Sequence, residues 1–238
     1  MKERLIFALD VDSFEQAQSW VRLLHDEVGM FKVGKQLFTR CGPSVVQMIR
    51  DEGGEVFLDL KYHDIPNTVA KASIEAARMG VKMFNVHALG GRTMMKCMVD
   101  EVVHASRLEG FDLPIMLGVT ILTSSSESDL HEVGILKPVV EMVPLLAALA
   151  QKSGLSGVVA SAQELALIRA ACGNDFVVVT PGVRPATASQ DDQQRVMTPV
   201  EAIRAGSNYL VVGRPISKAA DPAAAAREIV AQMSQGVM

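Results

Sequence analysis

Val56-Phe57-Leu58-Asp59-Leu60-Lys61-Tyr62-His63-Asp64-Ile65-Pro66-Asn67-Thr68 is the stretch on which the reading of this sequence turns. Its first half is an apolar run with the length and composition of a buried strand. The run ends by presenting Asp59 and Lys61, with Asp64 just beyond. Side chains alternate along a strand, so Asp59 and Lys61 are expected on one face, and Leu58 and Leu60 on the other. Charges at the mouth of a buried strand are costly to desolvate unless they pair or do chemistry. Two readings therefore stand: a salt bridge that closes a strand end, or a reactive site.

Working outward, short β-branched or apolar runs recur at 4–10, 30–34, 55–61, 83–87, 114–120, 157–160, 176–180 and 208–213. Helical patterns lie between or after them at 13–27, 43–52, 67–79, 91–106, 138–152, 162–171, 198–205 and 221–234. Pro222 suits the first turn of the last helix, and Gly53-Gly54, Gly80 and Gly206 fall where helices should stop. Eight strands alternating with eight helices predict a (β/α)8 TIM barrel, a single domain over residues 1–238. A doubly wound open sheet is the alternative. In a barrel, function gathers at the C-terminal strand ends, which here carry Asp10, Lys32, Asp59, Lys61, His87, Thr120, Pro181-Gly182 and Gly213-Arg214.

The 238 residues are 49% hydrophobic and 21% charged, as expected of a globular protein with a sizeable core. A net charge of −4 argues against a nucleic-acid surface, which needs a basic patch. The apolar run Leu5–Leu9 is too short for a signal-peptide core, and no uncharged stretch approaches the ~18 residues of a membrane span. Cys41, Cys97 and Cys172 are odd in number and far apart, so neither a disulfide framework nor a cysteine metal site is suggested. The 13 methionines read as core filling. The expectation is a cytoplasmic protein with no membrane and no nucleic-acid partner.

Two constellations carry chemistry. Asp10 and Lys32, at the ends of the first two strands, join Asp59, Lys61 and Asp64 in an alternating array of charges. A rigid ammonium poised at a reacting carbon stabilises developing negative charge and then donates its proton. The second constellation is Thr180-Pro181-Gly182-Val183-Arg184 after the seventh strand and Gly213-Arg214-Pro215-Ile216 after the eighth. Those loops hold phosphate in many barrels: glycine lets backbone N–H groups approach, and arginine grips the anion bidentately. The polar segment 184–197 between them reads either as a lid or as an ordinary solvated loop. His87 is read as a packing residue. Thr123-Ser124-Ser125-Ser126 reads as loop or helix-capping material, or as a reader of the amide edge of a base.

These residues resemble the orotidine 5′-phosphate decarboxylase family. The resemblance rests on Ala8-Leu9-Asp10, Phe31-Lys32-Val33-Gly34, Asp59 to Thr68, Val119 to Ser124, Thr180 to Arg184, Asp191-Asp192-Gln193 and Val212 to Ile216, in family order over nearly the whole chain. The Asp-x-Lys-x-x-Asp-Ile-Pro-Asn-Thr element is the specific part; the terminal Gly-Arg is not. The resemblance implies decarboxylation of orotidine 5′-phosphate to UMP by a homodimer whose sites are shared between subunits. It implies a catalytic set of Lys32, Asp59, Lys61 and Asp64. Lys61 would protonate C6, Asp59 would sit near the departing carboxylate, and Asp64, Ile65 and Thr68 would reach into the partner's site. Asp10 and Lys32 would hold ribose hydroxyls. Thr123, Ser124 and Pro181 would meet the substrate, Ser124 at the pyrimidine. Arg184, Gln193, Gly213 and Arg214 would hold the 5′-phosphate. No metal and no organic cofactor is implied.

Two rivals are carried forward. One is a magnesium-dependent decarboxylase or aldolase acting on keto-sugar phosphates, whose relatives carry a glutamate metal ligand where Lys32 stands; an ammonium there opposes a divalent cation. The other is a non-catalytic phosphate-binding barrel, against which the intact charged array argues.

Overall fold

The structure is a computed structural model that describes residues 1–184 and 197–237. Eight parallel strands close into a barrel in chain order, β1 next to β8, which excludes the open sheet. They are β1 Leu5–Ala8, β2 Met30–Gly34, β3 Val56–Tyr62, β4 Met83–His87, β5 Ile115–Val119, β6 Gly157–Val159, β7 Val177–Pro181 and β8 Tyr209–Val212. Each lies within a residue or two of its expected position. The reason is local: each is a short apolar run bounded by polar or turn residues, the pattern of a strand buried on both faces.

Alternation along the strands makes two apolar layers. Ile6, Met30, Phe57, Met83, Leu117, Val179 and Val211 point inward and fill the barrel. Leu5, Phe7, Phe31, Leu58, Phe84 and Val178 point outward under the helices. The filled interior leaves room for a ligand only at the rim.

Eleven α-helices are present among the described residues: α1 Phe14–Leu24, α2 Lys35–Cys41, α3 Ser44–Asp51, α4 Pro66–Arg78, α5 Gly91–Glu109, α6 Glu127–Glu132, α7 Val139–Lys152, α8 Leu165–Cys172, α9 Pro199–Arg204, α10 Arg214–Ser217 and α11 Pro222–Gln235. Caps set several starts. The Ser13 hydroxyl accepts from the Gln16 N–H, and Asp221 accepts from the Ala224 N–H ahead of Pro222. Ser126 with Asp129, and Thr198 with Glu201, form reciprocal capping boxes. The Ser126 box confirms the capping reading of that hydroxyl cluster.

The helices α2, α6 and α10 were not expected. Each is seven residues or shorter and buries a single side chain, Leu37, Leu130 or Ile216, so no amphipathic period marks it. Two expected ends also move: α1 stops at Leu24 rather than 27, and α5 runs on to Glu109 rather than 106. The expected helix 162–171 is a 3-10 turn, Ala162–Glu164, followed by α8. Asp191, Asp192, Gln193 and most of the polar loop lie outside the described residues. Its flanks are paired, Val183 with Met197, and the Arg184 N–H donates to the Met197 carbonyl at 3.0 Å.

Candidate active site

The site is built around an irregularity in β3. Leu58 pairs with Phe84 and Tyr62 with Val86, so β3 advances four residues while β4 advances two. Such a bulge re-aims side chains at a strand end. It falls on Lys61, whose φ of 52° is the one positive value at a non-glycine position among the described residues. A lysine in this left-handed region is strained by about 1–3 kcal/mol and needs surrounding contacts to hold it. The expected shared face of Asp59 and Lys61 holds, since both line one cavity. The two meet, with Lys61 Nζ 2.7 Å from Asp59 Oδ1, but across a bulge rather than along a regular strand.

Charges alternate from there across three strands. Asp59 Oδ2 faces Lys32 Nζ at 3.6 Å, and Lys32 Nζ donates to Asp10 Oδ1 at 3.2 Å. The order Asp10, Lys32, Asp59, Lys61 is thus minus, plus, minus, plus. The side chains of Lys32 and Asp59 are each 13% exposed and that of Lys61 is 23%, whereas Asp10 at 69% lies on the open rim. At this burial each charge depends on its neighbours, because removing one partner of a buried pair leaves an uncompensated charge.

Asp59, Lys32 and Lys61 form one wall of a cavity of about 170 Å³ at the C-terminal mouth of the barrel. The opposite wall is apolar, from Val119, Ile121, Val159, Ala160, Pro181 and Val211, with Thr123 at the edge. Gly182, at φ 78°, turns the chain sharply out of β7, a conformation that glycine adopts without strain. Gly213, after β8, sits against the charged array: a Cβ there would lie 3.7 Å from Asp10 Oδ2 and 3.4 Å from the Ala8 Cβ. The loops after β7 and β8 thus border the charged wall. They carry Arg184, which is buried, and Arg214, which is exposed.

The expected set is not all gathered into this one cavity. Asp64, Ile65 and Thr68 are exposed on the β3–α4 loop and the first turn of α4, and the Asp64 carboxylate accepts from the Ile65 N–H at 2.6 Å. Ser124 is exposed and is not part of the cavity wall, which Thr123 reaches. Gln193 lies outside the described residues. His87, expected as a packing residue, is instead half-buried at the rim, its ring 5.6 Å from that of His63. Burial first, then the His63 ring and the Lys35 and Lys61 charges, hold its pKa below the ordinary histidine value, against an opposing pull from Asp59.

The residue missed by sequence reading is Asn85, on β4. It is fully buried; its Oδ1 accepts from the Lys61 N–H at 2.8 Å, and its Nδ2 donates to Asp59 Oδ1 at 2.7 Å. One signal was available, a polar residue inside the apolar run Met83-Phe84-Asn85-Val86 at an inward position.

A broader hollow of about 670 Å³ lies at the opposite end of the barrel, beside Arg50, Arg78 and Lys82. Its arginines are engaged locally: Arg50 donates to the Met79 carbonyl, and Arg78 pairs with Glu75 and Glu109. Charges converge instead in the cleft at the other end. Among the described residues no three His, Cys, Asp or Glu side chains are grouped to hold a metal ion, and no helix is long and apolar enough to cross a membrane.

Fold and site together define a class: a (β/α)8 barrel whose mouth pairs an Asp–Lys–Asp–Lys array with glycine- and arginine-bearing loops after its last two strands. The chain belongs to the orotidine 5′-phosphate decarboxylase / HUMPS family, whose model matches residues 3–229. It is 65% identical over 234 residues to an orotidine 5′-phosphate decarboxylase of Syntrophotalea carbinolica, covering 98% of this chain and 96% of that protein. It is 60% identical over 235 residues to one of Geobacter sulfurreducens, covering 99% and 98%. Among solved structures, an orotidine 5′-phosphate decarboxylase of Lactobacillus acidophilus superposes with a TM-score of 0.86 at 39% identity, over 96% of this chain and 98% of that one.

Proposed function

We propose that this chain decarboxylates orotidine 5′-phosphate to UMP, the last step of de novo pyrimidine nucleotide synthesis, as a cytoplasmic homodimer of one-domain barrels. The observation that carries the reading is the Asp10–Lys32–Asp59–Lys61 array on one wall of a cavity whose other wall is apolar. The apolar wall suits a flat pyrimidine ring, and the charged wall suits its reacting edge.

When the bond from C6 to the carboxylate breaks, the electron pair stays on C6 in the ring plane, with no π system to receive it. Charge already organised in the protein must stabilise it. In this reading Lys61 does so and then transfers an Nζ proton to C6, completing UMP; solvent reprotonates the amine. Asp59 holds the Lys61 ammonium at 2.7 Å and, as an anion near the departing carboxylate, favours its loss as neutral CO2. Lys32 and Asp10 hold the ribose hydroxyls. Arg184, Gly213 and Arg214, with Gln193, take the 5′-phosphate; Thr123, Ser124 and Pro181 meet the base. Asp64, Ile65 and Thr68 complete the partner's site, a reading supported by their exposure beside, rather than inside, their own cavity.

The keto-sugar-phosphate alternative requires a divalent cation near Asp59. Lys32 Nζ, 3.6 Å from that carboxylate, opposes one. The test is the ultraviolet absorbance change on adding orotidine 5′-phosphate to purified protein, before and after dialysis against EDTA. Turnover that survives dialysis is expected. Absence of turnover, or loss restored by Mg2+, would sink the reading.

A further inference from the structure

The bulge in β3 takes the Lys61 N–H off the regular β3–β4 ladder. A buried N–H needs an acceptor, and strand backbone does not supply it. The Asn85 side chain does, at 2.8 Å. Its other end donates to Asp59 at 2.7 Å. Only one orientation of the amide satisfies both, because the N–H only donates and the carboxylate only accepts. The inward positions beneath it are apolar, among them Phe57, Met83 and Leu117, so no neighbouring side chain there offers a substitute. Asp59 Oδ1 also receives the Lys61 ammonium at 2.7 Å, so three groups form one closed hydrogen-bonded unit.

We propose that Asn85 is a positioning residue for the reaction: one hydrogen bond fixes the left-handed backbone of Lys61, and the other fixes the carboxylate that holds the Lys61 ammonium. It lies below the cavity wall rather than in it, so it acts through Asp59 and Lys61 and not on substrate. The proposal rests on the assignment of Lys61 as proton donor.

The test uses Asn85→Ala and the isosteric Asn85→Asp, which leaves no cavity, in the full-length protein. The unsatisfied Lys61 N–H in Asn85→Ala, and the second carboxylate beside Asp59 in Asn85→Asp, should each lower the thermal midpoint by several degrees without unfolding the protein. The Kd for UMP should stay close to wild type in both, since UMP lacks the reacting carboxylate. Both should lower kcat by about 100-fold, the cost of ångström-scale misplacement of a reacting group. KM should be nearly unchanged. In a Lys61→Ala background, Asn85→Ala should cost nothing further, because residues acting as a unit are not additive. Wild-type kcat in either folded Asn85 variant, while Lys61→Ala is inactive, would overturn the positioning role alone. Loss of UMP affinity in parallel with kcat in both variants would reduce Asn85 to a packing residue. Wild-type turnover by Lys61→Ala would overturn the Lys61 assignment and the proposal with it.

Discussion

The two halves of the barrel mouth are built on different terms. On the β1–β4 side the strand ends carry charge, β3 is bulged, and one lysine is held at a positive φ. On the β5–β8 side the pairing runs without a break, and the strand ends give the cavity an apolar wall from Val119, Val159, Pro181 and Val211. The first half places charges to within a hydrogen-bond length, and regular backbone was given up to do it. The second half supplies shape, for which regular strands suffice. Charge and shape thus divide between the two halves of the cavity wall.

The largest expected effect tests that division directly. Lys61→Ala should stay folded and lose kcat by on the order of 10⁴-fold, combining lost charge stabilisation with the lost proton donor. Val159→Ala, on the apolar half, should cost about 1 kcal/mol in kcat/KM, the value of a little buried apolar area. Steady-state kinetics on both variants settles it: comparable losses would break the contrast.

Next in size is the phosphate. Arg214→Ala should lower kcat/KM by about 2–5 kcal/mol, the range for truncating a charged contact. The same variant should lose almost nothing on a substrate lacking the phosphate. An equal loss on both substrates would remove Arg214 from the phosphate site.

A third measurement asks whether the charged half is complete within one chain. Lys61→Ala and Asp64→Ala should each be inactive. Mixed after subunit exchange, they should recover up to about a quarter of wild-type activity, since half the dimers carry one intact shared site. No recovery after verified exchange would mean that Asp64 does not serve the partner.

The smallest effect concerns His87. Its folded pKa is depressed, so below the ordinary value of 6.5 the unfolded chain takes up a proton before the folded one. Stability should therefore fall as pH drops through about 6.5 toward the lower folded value, and then lose no more from this group. Thermal midpoints between pH 7 and pH 5 should decline less steeply in His87→Asn; an identical slope would show that His87 does not contribute.

Much of this was legible in the amino-acid order. The strands could be read because each is a short apolar run with clear ends, and the helices α4, α7 and α11 because they are long enough to show a buried face. Asp10, Lys32, Asp59 and Lys61 stood out as charges where a buried strand should end. The short helices α2 and α6 did not, since one buried side chain makes no period.

The sequence by itself determined the barrel, the rim that carries the chemistry and the types of group on it, because periodicity and strand-end composition are local properties of the chain. Tertiary structure alone decided how those groups meet. Strand alternation puts Lys61 on the face of Asp59, but it foretells neither the bulge between them nor the hydrogen bond from the Lys61 N–H to an asparagine 24 residues away in sequence. Asn85 acquires its role only when β4 lies against β3, for a hydrogen-bond partner is set by proximity in space and not by order along the chain.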